Sequence, residues 1–309
     1  MSLSIITPHY NDFDGLQRLY KCLQDQTKSD WEWIIVDDLS DNTVLHNIDQ
    51  WIKNNIDKRV RFIPNLQKTN ASVCRNIGIE EALYDNLVFL DADDSITPDF
   101  VSHRSIAFNE FAIFKNRAVI DRNGTHEHRP SLDQNYLDCF LNAKFIWQTT
   151  AILWKKSFLK EIKEFDPNLH RLQDVELTIR ALIVGENYQI IDNEIDFFYC
   201  TQPIRLKADI VEKSCKSVNY LIIKLKKNYK LNAHRQSLIK GYYYACVNGL
   251  HRCKNRKDVV YVKESLKLFY TKKYINVFQY VVGFVLLVLY RYHLISDSLF
   301  IKTNRYFFK

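Results

Sequence analysis

The feature that most constrains the fold of this chain is a short apolar run that ends in three carboxylates. Leu87-Val88-Phe89-Leu90 is followed directly by Asp91-Ala92-Asp93-Asp94. Four consecutive apolar residues predict a buried strand, because a helix needs a longer run. Carboxylates crowded at a strand end repel one another, and a divalent cation that carries a phosphorylated ligand would screen that repulsion. A solvated acidic turn that caps the next helix explains the same residues, so the run leaves both interpretations open.

The residues before this run alternate between apolar strands and amphipathic helices. Residues 3–7, 31–36 and 60–63 predict strands, and the segments between them place apolar residues on one helical face. This alternation predicts a mostly parallel sheet that is covered on both faces. Ligands of such sheets bind beyond the carboxyl ends of the strands. The polar residues expected there are Thr7-Pro8-His9-Tyr10-Asn11, Asp37-Asp38 and Asp91-Ala92-Asp93-Asp94.

Four or five carboxylates at one rim favour a ligand site over a solvated turn. Neither the glycine-rich dinucleotide fingerprint nor the P-loop pattern occurs in the sequence. A bound phosphate group would therefore have to be held by side chains and a metal. For Asp37, a role as the acceptor of a strand-end turn is the favoured expectation.

Cysteine usage and charge limit the setting of the protein. The 7 cysteines are scattered and lack the spacing of a zinc or redox site, and the sequence opens without a signal peptide, so a reducing cytoplasm is expected. Residues 221–309 hold 18 Lys and Arg against 3 Asp and Glu, a charge of +15. Residues 1–220 hold the other 25 basic residues against 33 acidic ones, a charge of −8. A basic segment of this kind is expected to meet an anionic partner.

An apolar segment at residues 274–295 indicates which anionic partner that is. Its charge-free part, 274–290, lies at the lower length limit of a membrane-spanning helix. Lys272 and Lys273 precede it and Arg291 follows it, which favours a helix that lies in the headgroup region of an anionic membrane. A membrane span and a buried core helix remain alternatives. Nucleic-acid binding is not expected, because no recognised module accompanies the charge.

Two later segments carry further expectations. Residues 121–130 are polar and rich in turn formers, which predicts a loop at the mouth of the site. The tract from Leu172 to Gly185 predicts a helix with Asp174 at its N-terminal end, where a negative charge suits the helix dipole. Glu176 is expected to be a solvated residue of that helix.

Several motifs that follow one another along the chain resemble those of a known family. They are Ser4–Asn11, Gln26-Thr27, Trp33–Ser40, Asn70–Gly78, Phe89–Asp94 and Gln173-Asp174. In this order they look like a family-2 glycosyltransferase, the inverting, nucleotide-sugar-dependent type with the GT-A fold. The resemblance covers residues 3–200 in pieces and is dense over 3–100. Two positions depart from the family: Gln173 replaces a glutamate, and His9 stands where a small apolar residue is common.

The resemblance implies an α/β fold with a Rossmann-like, mostly parallel sheet flanked by helices. It implies a GT-A catalytic domain over residues 1–205, which leaves residues 206–309 as a basic helical region that we expect to associate with membranes. It assigns nucleotide binding to Thr7, Pro8, Tyr10, Asn11, Asp38, Asn70, Arg75, Asp91 and Ala92. Asp93 matches the metal-binding position of the DxD element, with Mn²⁺ or Mg²⁺ as the expected ion. Asp174 matches the expected general base.

The expected activity is the transfer of a sugar from a nucleoside-diphosphate sugar, with a UDP-sugar as the expected donor. The acceptor is a hydroxyl of a glycan or lipid-linked molecule in surface polysaccharide synthesis, and the expected location is the cytoplasm, peripheral at the inner face of the cell membrane. Two alternatives stay open. A nucleotidyltransferase would use a similar acidic metal site, and a non-catalytic membrane scaffold that binds nucleotide sugars would keep the pocket without turnover.

Overall fold

A computed structural model describes residues 2–54, 57–121, 123–200 and 209–309 of the chain. The chain divides into two compact units. The first comprises Met1–Asp133, Trp147–Asn168 and Arg180–Ile204, and the second comprises Gln134–Ile146, Leu169–Ile179 and Arg205–Lys309. The predicted boundary at residues 205 and 206 lies outside the described residues.

The described strands all belong to the first unit. They are β1 (Leu3–His9), β2 (Trp31–Asp37), β3 (Val60–Pro64), β4 (Asn86–Phe89), β5 (Ser95–Ile96), β6 (Phe111–Phe114), β7 (Arg117–Asp121), β8 (Gly124–His128), β9 (Ile152–Lys155), β10 (Gln189–Ile191) and β11 (Phe197–Cys200).

The described helices occur in both units. Those of the first unit are α1 (Phe13–Gln24), α2 (Asn42–Asn54), α3 (Ala71–Glu81), α4 (Phe100–His103) and α6 (Lys156–Glu161). Those of the second are α5 (Tyr136–Leu141), α8 (Ile210–Asn228), α9 (Ala233–Leu238), α10 (Lys240–Cys253), α11 (Val259–Thr271), α12 (Val277–Arg291) and α13 (Asp297–Phe308). The division between the units falls within α7 (Gln173–Val184).

The larger sheet has seven strands in the order β10-β6-β9-β4-β1-β2-β3. Its strands are parallel except β9, which runs antiparallel to both β4 and β6. This confirms the predicted mostly parallel α/β fold. The carboxyl ends of β1, β2 and β4 lie side by side, because these parallel strands pair with Ile6 in register with Phe89 and His9 in register with Asp37.

Local sequence explains why the central elements form where they do. Every residue of β2 is buried, as expected for an inner parallel strand covered on both faces. Helix α1 begins after Asp12, whose carboxylate accepts the backbone N–H of Gly15 at 3.0 Å. Helix α3 begins after Asn70, whose side-chain oxygen accepts the N–H groups of Ser72 and Val73. Both side chains satisfy donors that the first helical turn leaves without a partner.

The prediction of a loop at residues 121–130 was wrong. A smaller sheet has the strand order β5-β11-β7-β8, in which β7 and β8 pair antiparallel. Gly124, the first residue of β8, has a φ of +112°, which suits glycine. His126 of β8 lies 3.3 Å from a carboxylate oxygen of Asp121, and His128 lies 3.1 Å from the Arg117 guanidinium. Both histidines therefore have side-chain partners within the hairpin.

The second unit contains a helical bundle in which α8 and α10 pack on α11, α11 packs on α12, and α13 packs on α10 and α12. Aromatic contacts stabilise it, including Tyr290 stacked on Phe300 with ring centroids 3.9 Å apart. Glu176 belongs to this unit and was expected in solvent, but it is buried and paired with the Lys224 ammonium at 2.8 Å. The expectation was wrong because a carboxylate tolerates burial when a cation compensates its charge.

Helix α12 covers most of the apolar segment predicted at 274–295. None of the described helices combines the length and the apolar character that crossing a bilayer requires. Gly283, Leu286, Leu287 and Tyr290 are its buried residues, so it is packed on one side only. Neither a spanning helix nor a fully buried core helix describes α12.

Candidate functional site

A cavity of about 300 Å³ lies in the first unit at the carboxyl ends of β1, β2 and β4. Seven of the residues predicted to bind donor or metal line it: Pro8, Tyr10, Asp38, Arg75, Asp91, Ala92 and Asp93. Four lining residues were not predicted: His9, Asp12, Ala71 and Cys74. The predicted rim of polar strand ends therefore forms one continuous cleft.

Backbone hydrogen bonds hold the strand ends together. The N–H of Asp38 donates to the carbonyl of His9 at 2.8 Å, and the N–H of Leu90 donates to that of Ile6 at 3.0 Å. Thr7 is fully buried beneath this rim, where its hydroxyl donates to the Leu90 carbonyl at 2.7 Å. The same hydroxyl accepts the indole N–H of Trp33 at 2.8 Å. These contacts give Thr7 a structural role under the cleft, and its contact with nucleotide stays a prediction.

His9 is the centre of a buried network in the cleft floor. Its Nε2 accepts the backbone N–H of Asp12 at 3.1 Å, so Nδ1 carries the proton and donates to Asp37 at 2.7 Å. Asp37 also accepts the hydroxyl and the N–H of Ser40, which confirms its role as a turn acceptor. Burial alone would raise the pKa of Asp37, but the hydrogen bonds from His9 and Ser40 hold it below its usual value. A small apolar residue in place of His9 could not join these loops.

Asp38 is part of the cleft wall and is held by several contacts. One carboxylate oxygen accepts both the N–H and the hydroxyl of Thr69 at 2.7 Å, and the other lies 2.9 Å from the Lys68 ammonium. The Lys68 ammonium also lies 3.0 Å from the centroid of the Tyr10 ring. Tyr10 is 47% exposed, so an aromatic surface remains available at the edge of the cavity.

The three carboxylates after β4 have different surroundings. Asp91 accepts from the Arg75 guanidinium at 2.8 Å, and that arginine is almost fully buried. Asp94 is buried and accepts the N–H of Cys200 at 3.0 Å, so it fixes the turn to the smaller sheet. Burial, followed by the charges of Asp91 and Asp93, raises the pKa of Asp94 well above its usual value.

Asp93 lines the open cleft, and its surroundings disfavour its ionised form. Burial, followed by the neighbouring charge of Asp91, raises the pKa of Asp93 to about 6. The described residues contain no group of three or more His, Cys, Asp or Glu side chains that could hold a metal by themselves. A divalent cation at Asp93 would thus need further oxygen ligands, which a diphosphate supplies. With excess negative charge and an open side, the site fits a cation that arrives with its nucleotide.

Besides Thr7, two further predicted nucleotide ligands lie outside the cavity lining and make structural contacts. Asn70 caps α3 and donates from its side-chain amide to the Pro167 carbonyl at 2.7 Å. Asn11 has a φ of +54°, and its side-chain oxygen accepts the N–H of Asp41 at 2.8 Å. It thereby ties the loop after β1 to the loop after β2, and nucleotide binding by both asparagines stays a prediction.

Asp174 lies in the second unit, in the first turn of α7, as the predicted helix requires. The preceding Gln173 is buried, and its amide donates to the Leu169 carbonyl at 2.8 Å. A glutamate carboxylate could not donate this hydrogen bond, which accounts for glutamine at this position. Tyr242 has a pKa raised well above its usual value, by burial first and by the charge of Asp174 second. The catalytic role of Asp174 stays a prediction.

Asp12 and Cys74, two lining residues that the sequence did not indicate, shape the cleft rather than offer reactive groups. Asp12 caps α1, and a Cβ added at Gly15 would lie 2.3 Å from the Asp12 carboxylate and 2.8 Å from the Ala92 carbonyl. Only glycine allows so close an approach of α1 to the acidic turn. Burial, followed by the charge of Asp38, raises the pKa of Cys74 to about 12, so its thiol is not a nucleophile at neutral pH.

Residues 4–160 match the sequence profile of glycosyl transferase family 2. The match covers about half of the chain and includes every residue that lines the cleft. The chain belongs to glycosyl transferase family 2.

One relative and two solved structures illustrate what the chain is similar to. The chain is 32% identical over 130 residues to a putative teichuronic acid biosynthesis glycosyltransferase, TuaG, of Bacillus subtilis; the match covers 40% of this chain and spans about half (49%) of the relative. S. aureus TarS 1–349 in complex with UDP-GlcNAc superposes with a TM-score of 0.64 at 14% identity, covering 98% of this chain and 90% of that one. The mannosyltransferase PcManGT from Pyrobaculum calidifontis in complex with GDP-Man and Mn²⁺ gives a TM-score of 0.57 at 11% identity, covering 99% and 84%. The fold is therefore of the GT-A type.

Proposed function

We propose that this protein is an inverting, metal-dependent glycosyltransferase that moves a sugar from a nucleoside-diphosphate sugar to a hydroxyl group. The cleft carries the proposal, because Asp91 and Asp93 meet Tyr10, Asp38 and Arg75 in one cavity at the carboxyl ends of three strands. The names of the related proteins support a role in surface polysaccharide synthesis. The UDP-GlcNAc that accompanies TarS supports a UDP-sugar as donor.

The cleft divides into a nucleoside side and a diphosphate side. The exposed ring of Tyr10 offers a face on which a base can stack, and the wall at Pro8 and Asp38 bounds the same end. The guanidinium of Arg75 is oriented by Asp91 and offers its positive charge to the diphosphate. Asp93 would hold Mn²⁺ or Mg²⁺ together with the diphosphate oxygens.

The residues of this chain would share the reaction as follows. A divalent cation bound at Asp93 would neutralise negative charge that develops on the leaving diphosphate. Arg75 would stabilise the same charge from its buried, fixed position. The Asp174 carboxylate would accept the proton of the acceptor hydroxyl as the hydroxyl oxygen attacks C1 of the sugar and the bond to the diphosphate breaks. One base and one direct displacement invert the configuration at C1.

A calorimetric titration of UDP, GDP and their sugar conjugates, each with and without Mn²⁺, tests the donor site. We expect a uridine nucleotide to bind with Mn²⁺, and Asp93→Asn to remove the Mn²⁺-dependent part of that affinity. Asp133→Asn changes an exposed aspartate of the same unit and serves as the control. If Mn²⁺ makes no difference to the wild type, Asp93 is not a metal ligand. If no nucleotide binds under any condition, the assignment of this cleft as the donor site is wrong.

We also propose a lipid-linked glycan as the acceptor, with the protein held peripherally at the inner face of the cell membrane. The charge of +15 over residues 221–309 supports this proposal, because anionic lipids line that face. Transfer to a soluble glycan but never to a lipid-linked one would contradict it.

A further inference from the structure

Helix α12 has two apolar sides and only one of them is packed. Gly283, Leu286, Leu287 and Tyr290 are buried in the second unit. On the other side, the helical spacing i, i+3, i+7, i+10, i+14 brings together exposed residues that we call the apolar ridge: Phe278, Val281, Val285, Val288 and Tyr292. Their exposed fractions are 61%, 51%, 46%, 36% and 64%.

This ridge differs from the solvent side of an ordinary helix of a folded protein. An amphipathic helix faces solvent with charged and polar residues, as α8 does with Lys213, Lys216 and Lys226. The sequence between Lys273 and Arg291 contains no charged residue. Contiguous exposed apolar residues of this kind mark an interaction surface.

The charges around the ridge indicate which surface it meets. Lys273 and Arg291 are exposed just before and at the end of α12. The Lys263 ammonium of α11 lies 4.8 Å from the centroid of the Phe284 ring, which brings a third cation to the flank of the helix. An apolar stripe bordered by cations complements an anionic bilayer surface, in which acyl chains meet negatively charged headgroups.

A cavity of about 350 Å³ in the same unit adds a place for a headgroup. Leu225, Lys226, Tyr229, Lys230, Leu231, Gln236 and Tyr274 line it. The Lys226 ammonium donates to the Gln236 side chain at 3.3 Å and lies 5.7 Å from the Tyr274 ring, so one cation is oriented at its wall. Tyr274 is three residues before the start of α12, which puts this wall within roughly 11 Å of the helix. Lys226 and Lys230 match a phosphate in charge.

We propose that the apolar ridge of α12 enters the headgroup region of an anionic bilayer, with the Lys226–Lys230 cavity receiving a lipid phosphate. The inference deepens the proposed function, because an enzyme with a lipid-linked acceptor works at a membrane. It can nevertheless fail while the proposed transfer holds, since vesicle binding is measured without donor or acceptor.

Flotation of the full chain with vesicles tests the ridge. We expect binding to phosphatidylcholine vesicles that contain about 30% phosphatidylglycerol and little binding to pure phosphatidylcholine. Val281→Asp/Val285→Asp should reduce that binding at least about tenfold, because a charge replaces apolar area at the interface. The matched control is Leu83→Asp/Val184→Asp, which makes the same change at exposed apolar residues of the first unit. Equal binding by wild type and ridge variant would overturn the proposal.

A second pair of variants tests the cavity. Lys226→Gln/Lys230→Gln should lower the preference for anionic vesicles at least threefold more than Lys213→Gln/Lys216→Gln, which removes the same charge from exposed positions of α8. Equal losses would overturn the headgroup assignment. Sedimentation without lipid decides between the bilayer and a second copy of the chain. A dimer that only the ridge variant abolishes would make a protein partner the occupant and overturn the proposal.

Thermal unfolding of each variant checks that it still folds. Turnover with a soluble acceptor should be the same in the ridge variant and the wild type. A vesicle-binding protein without transferase activity would contradict the proposed sugar transfer but not this inference. An active transferase that ignores anionic vesicles would contradict this inference and the proposed peripheral location, but not the sugar transfer.

Discussion

The first unit contains an ion pair that is fully buried, whereas many cations of the second unit face solvent. Arg104 and Asp196 of the first unit are both fully buried with a 2.6 Å contact. In the second unit, Lys216 contacts Glu212 at 2.6 Å, yet the lysine side chain is 70% exposed. Lys224 and Glu176 are an exception, since that pair is mostly buried.

Buried and exposed charges serve different roles in a folded protein. Buried pairs fix the position of backbone and side chains, because an unpaired buried charge is costly. The Asp91–Arg75 pair and the His9–Asp37 hydrogen bond hold the cleft in this way. Exposed cations fix little and respond instead to salt and to anionic partners. We therefore expect variants of the first unit to change folding and donor binding, and variants of the exposed cations to change surface association.

We expect the largest effect from a variant of Asp174. This residue is an exception to the division above, because it belongs to the second unit. If it is the general base, Asp174→Asn should lower kcat by about 10² to 10⁴. Nucleotide affinity should stay within a factor of two or so of the wild type, since the cleft is unchanged. Single-turnover rates and calorimetry measure the two quantities. Asp209→Asn changes an aspartate of the same unit whose side chain is 44% exposed, and it is the control. An unchanged kcat would remove Asp174 from the role of base.

The next effect compares one buried and one exposed ion pair. Arg104→Met leaves the Asp196 carboxylate buried without its main cation, so the free energy of unfolding should fall by about 3 kcal/mol or more. Lys216→Met removes a largely exposed cation, and no measurable change is expected. Urea unfolding of the two variants tests this contrast. Similar losses in both would mean that burial does not decide what these pairs contribute.

The sequence predicts the central strands well because they are short, apolar and bounded by polar residues. β1, β2 and β4 begin within one residue of the predicted positions and end close to them, and Asp12 and Asn70 cap the helices that follow the loops. The smaller sheet was missed. Asn123-Gly124 is a hairpin signal, but the Thr-His-Glu-His segment after it lacks the apolar alternation that marks a strand.

The site was predictable where it follows from strand ends and not where it depends on distant contacts. Asp91 and Asp93 follow β4 directly, so parallel topology alone places them at the rim. Asp94 is distinguished from them by its hydrogen bond to Cys200, which is 106 positions away. His9 joins Asp37 to the backbone of Asp12, and no local pattern indicates that geometry. Burial of Glu176 likewise depends on Lys224, which belongs to another helix.

Without a bound metal or nucleotide, the acidic cleft is expected to destabilise the folded protein. The pKa of Asp93 is raised to about 6, so the ionised form destabilises the folded state above that pH. Without metal, Asp93→Asn should raise the free energy of unfolding at pH 7 by about 1 to 2 kcal/mol, reduced by partial exposure to solvent. The gain should shrink as the pH falls to about 5, where Asp93 takes up a proton in the folded protein.

Chelator-treated protein in urea at the two pH values measures this gain. Asp133→Asn again serves as the control, since that side chain is exposed. If Asp93→Asn is less stable than the wild type at pH 7, the pKa of Asp93 is not raised and its ionised form does not destabilise the folded protein. Greater stability together with weaker Mn²⁺-dependent nucleotide binding would show that function here works against stability.

The smallest expected effects compare one exposed aromatic residue from each unit. Tyr10 is 47% exposed at the cleft and Phe278 is 61% exposed on the apolar ridge. Tyr10→Ala should weaken nucleotide binding about five- to tenfold, because a stacking surface of ~1 kcal/mol is lost, and should leave vesicle binding unchanged. Phe278→Ala should have the opposite pattern, since it removes apolar area from the ridge and lies far from the cleft in sequence. Tyr10→Phe keeps the ring and should bind nucleotide like the wild type. If either alanine variant weakens both kinds of binding while remaining folded, the two surfaces are coupled and the division of tasks between the units is wrong.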